Sequence, residues 1–95
     1  MVTYREFLRE NERLLVIVGK ELIDSSIEEI EKILEKFREI DKVYVITNSI
    51  SPRVASYLRK LKIIVIDNLY FEKEEDAFQK FAREYALKEI NNKSN

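Results

Sequence analysis

Three runs of four or five apolar residues constrain the fold of this chain more than any other feature. A short apolar run with no polar alternation is typical of a strand that is covered on both faces, as in parallel sheets flanked by helices. The segments between the runs carry apolar residues at helical spacing instead. The pattern therefore predicts buried strands over residues 14–18, 43–47 and 63–67.

Periodicity and capping residues predict four helices around these strands. Apolar residues recur every three or four positions over residues 27–37, after the N-cap candidate Ser26. Ser51 is followed by the only proline, a residue that helices tolerate in their first turn. Thr3 and Glu6 have the spacing of a capping box. The predicted helices cover residues 3–12, 26–40, 52–61 and 73–89, with a flexible tail over 91–95.

Strands that alternate with helices indicate parallel pairing through right-handed crossovers. We therefore expect one α/β domain over residues 1–95, a small Rossmann-like three-layer αβα sandwich with a three-stranded parallel sheet and the order α-β-α-β-α-β-α. We favour residues 14–18 as the central strand, and the two sequential strand orders are the alternatives. Residues 69–71 are a candidate fourth strand at the sheet edge.

Composition excludes several classes of chemistry. The 95 residues include no Cys and no His, which removes disulfides, thiolate metal sites and the commonest general base. One Gly cannot supply a dinucleotide or P-loop phosphate motif. We predict no catalytic residue, no metal site and no cofactor, and we lean towards a non-enzymatic protein.

Charge and hydropathy set further expectations. With 17 Lys+Arg and 18 Asp+Glu, the net charge of -1 creates no general attraction for polyanions. No apolar run approaches the roughly 20 residues that a membrane helix needs. We therefore expect a cytoplasmic protein without a membrane partner. The charged fraction of 37% resembles that of proteins from thermophilic organisms.

The carboxyl ends of the predicted strands are the candidate ligand site. Ligands of open parallel sheets bind at that rim, where a cation, hydroxyls and amides would suit a phosphate-containing small molecule. The opposing interpretation is that polar residues at strand ends only cap helices and form loops. The candidate ligand-binding residues are Gly19, Lys20, Thr47, Asn48, Ser49, Asp67 and Asn68.

Open sheet edges favour self-association. A three-stranded sheet has two edges that are normally paired or covered, so we expect a homodimer or a higher homo-oligomer. Tyr70 and Phe71 are the candidate interface residues, because aromatic side chains are enriched at interface cores.

Basic residues form two candidate patches, one at Arg5, Arg9 and Arg13 and one around residues 53–62. Glutamates interleave with the first group at ion-pairing distances, so we expect neutralised surfaces and no nucleic-acid partner. The sequence thus favours a non-enzymatic binding or protein-interaction module whose molecular function it does not specify. The alternatives are a domain that recognises a nucleotide or phosphate ligand at the rim, and an accessory nucleic-acid-binding protein.

Overall fold

The computed structural model describes residues 1–85 and 88–89. The predicted tail over residues 91–95 lies outside them. The elements are β1 (Thr3–Arg9), β2 (Glu12–Leu22), α1 (Ser26–Glu35), β3 (Lys42–Ile50), α2 (Pro52–Lys60), β4 (Ile64–Ile66), α3 (Glu74–Tyr85) and β5 (Lys88–Glu89).

The sheet is mixed, with the strand order β4-β3-β2-β1-β5. Strands β2, β3 and β4 are parallel, whereas β1 pairs antiparallel with both β2 and β5. The prediction of a purely parallel, Rossmann-like sheet is therefore wrong. The favoured order is also wrong, because β2 lies between β3 and the antiparallel β1, and the three parallel strands follow one another in chain order.

The predicted N-terminal helix over residues 3–12 is wrong, because residues 3–9 form strand β1 and residue 12 begins strand β2. Tyr4 and Phe7 are three residues apart, which fits one side of a helix, but on β1 they point to opposite faces of the sheet. Tyr4 packs edge-on against Phe37 with ring centroids 5.4 Å apart, and the ring centroid of Phe7 lies 6.0 Å from that of Phe81. Packing on both faces and pairing with β2 thus override the local capping signal.

Two helices cover one face of the sheet and one helix covers the other. Residues of α1 and α2 belong to one core, so the two helices lie on the same face, as expected for right-handed connections that advance in the same direction. Their core contains Leu15, Ile17, Ile30, Val45, Val54 and Leu58. On the opposite face α3 packs mainly against β1 and β2, in a core that contains Phe7, Val16, Tyr44, Phe78 and Phe81.

The ends of the other elements differ from the predictions by a few residues. Helix α1 stops at Glu35 instead of residue 40, although Phe37 and Ile40 still pack against the core. Helix α2 begins as predicted after Ser51, whose hydroxyl accepts a hydrogen bond from the Val54 N–H at 3.3 Å. The C-terminal helix was predicted to reach residue 89, but α3 ends at Tyr85 and strand β5 occupies residues 88–89.

Arg5 links β1 to α3. Its guanidinium lies 4.4 Å from the ring centroid of Phe78 and donates hydrogen bonds to the Glu75 carboxylate. These hydrogen bonds lower the pKa of Glu75. A carboxyl group whose pKa is depressed by folding contributes stability above its unfolded pKa and loses that contribution as pH falls through its folded pKa. The contribution is small because half of the Glu75 side chain is exposed.

We predict that Phe7→Ala will lower the free energy of unfolding by about 3–5 kcal/mol, because it removes a fully buried ring from the α3-side core. Leu8→Ala is the matched control, since Leu8 is the next residue of β1 and is exposed. Urea denaturation followed by circular dichroism measures both. Equal effects of the two changes would contradict the strand assignment of this segment.

Candidate functional site

The carboxyl ends of β2 and β3 border an open cleft of about 550 Å³. Three of the seven predicted ligand residues line it, namely Lys20, Asn48 and Ser49. The start of α1 and Glu74 of α3 close its other sides. The rim of the sheet therefore contains a depression, and the roles of its side chains decide what the depression can bind.

Thr47 belongs to the protein interior. Its side chain is completely buried, and its hydroxyl lies 2.8 Å from the Ser49 carbonyl oxygen and 3.2 Å from the Lys20 carbonyl oxygen. The same hydroxyl oxygen is 3.2 Å from the Ser49 N–H, which donates to it. Its hydrogen-bonding capacity is thus used within the chain, where it joins the ends of β2 and β3.

Asn48 is an anchor for the segment between β4 and α3. Its amide nitrogen donates to the Phe71 carbonyl oxygen at 2.7 Å, and its amide oxygen accepts from the Phe71 N–H at 3.2 Å. These two hydrogen bonds resemble those between paired strands, and they give partners to the N–H and the carbonyl group of Phe71. The ring of Phe71 is buried in the α3-side core. Asn48 therefore lines the cleft while its polar atoms already have partners.

Gly19 serves close packing. A Cβ at this position would lie 2.8 Å from Leu22 Cδ2 and 2.9 Å from Val2 Cγ1, both closer than carbon atoms normally approach. Leu22 is buried and has little room to move. Close packing against Leu22 and Val2 therefore explains why residue 19 has no side chain, and a ligand is not needed to explain it.

Asp67 and Asn68 lie away from the cleft. Asp67 borders a shallow hollow that also involves Ala55 and Arg59. Asn68 borders a different hollow beside Phe81 on the α3 side. The sequential order of the parallel strands carries the end of β4 one strand further from β2 than the predicted order would have done.

The charges of the cleft do not favour an anionic ligand. Lys20 shares it with the three carboxylates of Glu21, Glu29 and Glu74. The N-terminal ammonium group adds a second cation, but it lies 3.7 Å from Glu29 Oε1 and pairs with that carboxylate. A phosphate group placed here would meet more negative than positive charge, which opposes binding.

The serines at the helix starts have structural roles. The buried Ser26 hydroxyl accepts from the Ile23 N–H at 3.0 Å, and the Ser51 hydroxyl donates to Asp24 Oδ1 at 2.8 Å. Within residues 1–85, no buried polar side-chain atom lacks a hydrogen-bond partner. The same residues contain no group of three or more acidic side chains arranged to hold a metal ion.

The two predicted interface residues have different environments. Tyr70 is 69% exposed, whereas Phe71 is 2% exposed and belongs to the core. Sequence reasoning missed Leu61 and Ile64, which are 47% and 42% exposed. The signal for Ile64 was present, because an apolar strand that comes last in a sequential order must lie at an edge of the parallel sheet.

Comparison of the chain with protein-family models, with curated proteins and with solved structures found no match. In the part of the chain that the structure describes, no helix is both long enough and apolar enough to cross a membrane.

We predict that Asn48→Ala will lower the free energy of unfolding by about 1–3 kcal/mol, because it leaves the Phe71 backbone without its two partners. Asn68→Ala removes the same side chain from an exposed position and will change stability by less than about 0.5 kcal/mol. Chemical denaturation measures both variants. A stable Asn48→Ala protein would show that the amide is free for another role.

Proposed function

We propose that this protein is a non-enzymatic interaction module that forms a homodimer through the outer edge of β4. The proposal is supported chiefly by the unpaired state of that edge. Strand β4 pairs with β3 on one side, at Tyr44–Ile64, Val45–Val65 and Ile46–Ile66. On its other side no strand pairs with it among the residues that the structure describes.

Side chains beside this edge are apolar and uncovered. Ile64 pairs with Tyr44, whose ring belongs to the α3-side core, so Ile64 projects towards the same face of the sheet. Helix α3 lies mainly over β1 and β2, two or more strands away from β4. Ile64 is therefore exposed, and Leu61 in the turn before β4 adds a second exposed apolar side chain. Exposed apolar groups next to an unpaired strand are typical of an interface.

The charges that flank β4 favour antiparallel pairing with a second copy. Lys62 precedes the strand and Asp67 follows it, and both are exposed. In a two-fold symmetric antiparallel pair, the start of one β4 lies beside the end of the other. Lys62 of each subunit would then lie near Asp67 of the other subunit, whereas a parallel pair would place like charges together.

We include Tyr70 in the proposed surface, next to the hollow that it shares with Asp76 and Lys80 of α3. Tyr70 lies in the connection that leaves β4 and is the most exposed aromatic residue among those the structure describes. An aromatic side chain gains much from burial at an interface, so its exposure in the single chain fits the same proposal.

Cytoplasmic location and a thermophilic source remain predictions of the sequence.

We predict that the protein will sediment at twice the 11.4 kDa mass of one chain and that Ile64→Lys will weaken self-association at least about tenfold. A lysine on the edge strand places a charge against the apolar partner surface. Sedimentation equilibrium over a range of concentrations measures the dissociation constant, and circular dichroism checks that the fold is retained.

Ile23→Lys is the matched control, because Ile23 is 56% exposed but lies by the cleft, away from β4. This variant should dimerise like the parent protein. Tyr70→Ala should weaken the dimer with no loss of stability in the monomer. A parent protein that stays monomeric at the highest soluble concentration, or a dimer that Ile23→Lys disrupts and Ile64→Lys does not, would refute the proposal.

A further inference from the structure

Helix α2 presents a basic surface without acidic residues. Arg53, Arg59 and Lys60 are exposed on its outward side, and Lys62 follows in the next turn. The buried residues of the helix are Val54 and Leu58, on the side that faces the core. We call the outward residues Arg53, Arg59, Lys60 and Lys62 the α2 basic surface.

These cations differ from those of the β1-β2 hairpin. Arg9 and Arg13 form ion pairs with Glu12 and Glu6, two of the interleaved glutamates, whereas Arg5 pairs with the distant Glu75 of α3. Between residues 1 and 85, by contrast, no carboxylate lies within ion-pairing distance of any member of the α2 basic surface. The hairpin is thus neutralised by its own chain, and the α2 surface retains its charge.

Three carboxylates lie near α2, and none pairs with its basic surface. Asp67 borders the same hollow as Arg59, but the two side chains are not within ion-pairing distance. Asp24 is at the helix start, where it accepts a hydrogen bond from Ser51. Glu31 of α1 lies near Tyr57, and burial of that ring together with Glu31 raises the pKa of the Tyr57 hydroxyl. Glu31 therefore marks the side of α2 that faces α1, which is distinct from the outward side.

The position of Arg53 is not explained by the stability of the helix. Arg59 and Lys60 occupy the last turn, where cations interact favourably with the helix dipole. Arg53 is in the first turn, where the dipole is unfavourable for a cation, and that turn contains no acidic residue. A cation that weakens its own helix slightly and pairs with no residue of the described chain is suited to an external anion.

We infer that the α2 basic surface binds the phosphate backbone of duplex DNA without sequence specificity. Unpaired cations at both ends of one exposed helix can contact the phosphates of the duplex. Single strands are a poorer match, because their binding surfaces use exposed aromatic rings for stacking and Tyr57 is half-buried. A membrane surface is also a poorer match, because an interfacial helix needs an exposed apolar face and the apolar residues of α2 face the core.

The expected binding is weak and depends strongly on salt. Three or four phosphate contacts give a slope of about -3 in a plot of log K against log salt concentration. Fluorescence anisotropy with a labelled short duplex of random sequence, titrated at potassium chloride concentrations from about 50 to about 200 mM, measures this slope. The triple variant Arg53→Gln/Arg59→Gln/Lys60→Gln should lose at least about tenfold in affinity and show a slope closer to -1.

The control variant Arg9→Gln/Arg13→Gln/Lys42→Gln removes the same number of charges from residues that have carboxylate partners. It should bind the duplex as tightly as the parent protein. Thermal denaturation should show that the α2 triple variant is folded, because it changes exposed side chains only.

Several outcomes would overturn the inference. They are an absence of salt-dependent binding at about 50 mM salt, equal losses in the two triple variants, tighter binding to a single strand of the same sequence, and binding to phosphatidylserine vesicles without binding to the duplex. The inference does not rest on dimerisation, and Ile64→Lys distinguishes the two. A monomeric Ile64→Lys protein retains all four cations and adds a fifth beside them, so it should bind the duplex at least as tightly per chain as the parent protein.

Discussion

The shared direction of the two crossovers determines how this domain is covered. A right-handed connection that moves one strand to the side places its helix on a fixed face of the sheet, so two such moves in the same direction stack α1 and α2 on one face. The opposite face is left to α3, which packs against β2 and against β1, the hairpin strand that widens the sheet. The exposed β4 edge and the outward position of α2 both follow from this arrangement.

The α3 face compensates with large side chains. A single helix has to bury the surface of several strands, and Phe78, Phe81 and Tyr85 provide the area that a second helix would otherwise supply. Phe81 lies at the centre of this cluster, with ring centroids 5.0 Å from Tyr44 and 4.5 Å from Tyr85. Aromatic pairs at such distances add to the burial of apolar area. The N-terminal strand takes part by contributing Phe7, which explains why the hairpin belongs to the core and is not an appendage.

The sequence indicated some parts of this structure and not others, for physical reasons. The run at residues 14–18 has no polar interruption, so its burial on both faces could be read directly, and the apolar periodicity of α1 was equally plain. The spacing of Tyr4 and Phe7 fits a helix as well as a strand, and only contacts with distant Phe37 and Phe81 decide between them. Strand order depends on such long-range contacts too.

The candidate site shows the same limit. Polar residues at strand ends can form hydrogen bonds to a ligand or to the chain's own backbone. The sequence does not show which of these Thr47 and Asn48 bind. The pairing of cations was only partly predictable. Glutamates that alternate with Arg9 and Arg13 in the sequence indicate the ion pairs that these arginines form. Whether the cations of α2 are paired depends on which side of the helix faces the core.

The use of glycine has a consequence for the unfolded chain. Two residues of the described structure, Glu10 and Lys62, have positive φ angles of 56° and 61°, and neither is a glycine. The one glycine of the sequence is used for close packing instead. Each left-handed turn therefore costs the folded state about 1 kcal/mol, but a chain with so little glycine also has fewer backbone conformations to lose when it folds. Part of the stability of this domain therefore comes from the small number of backbone conformations that its unfolded chain can adopt.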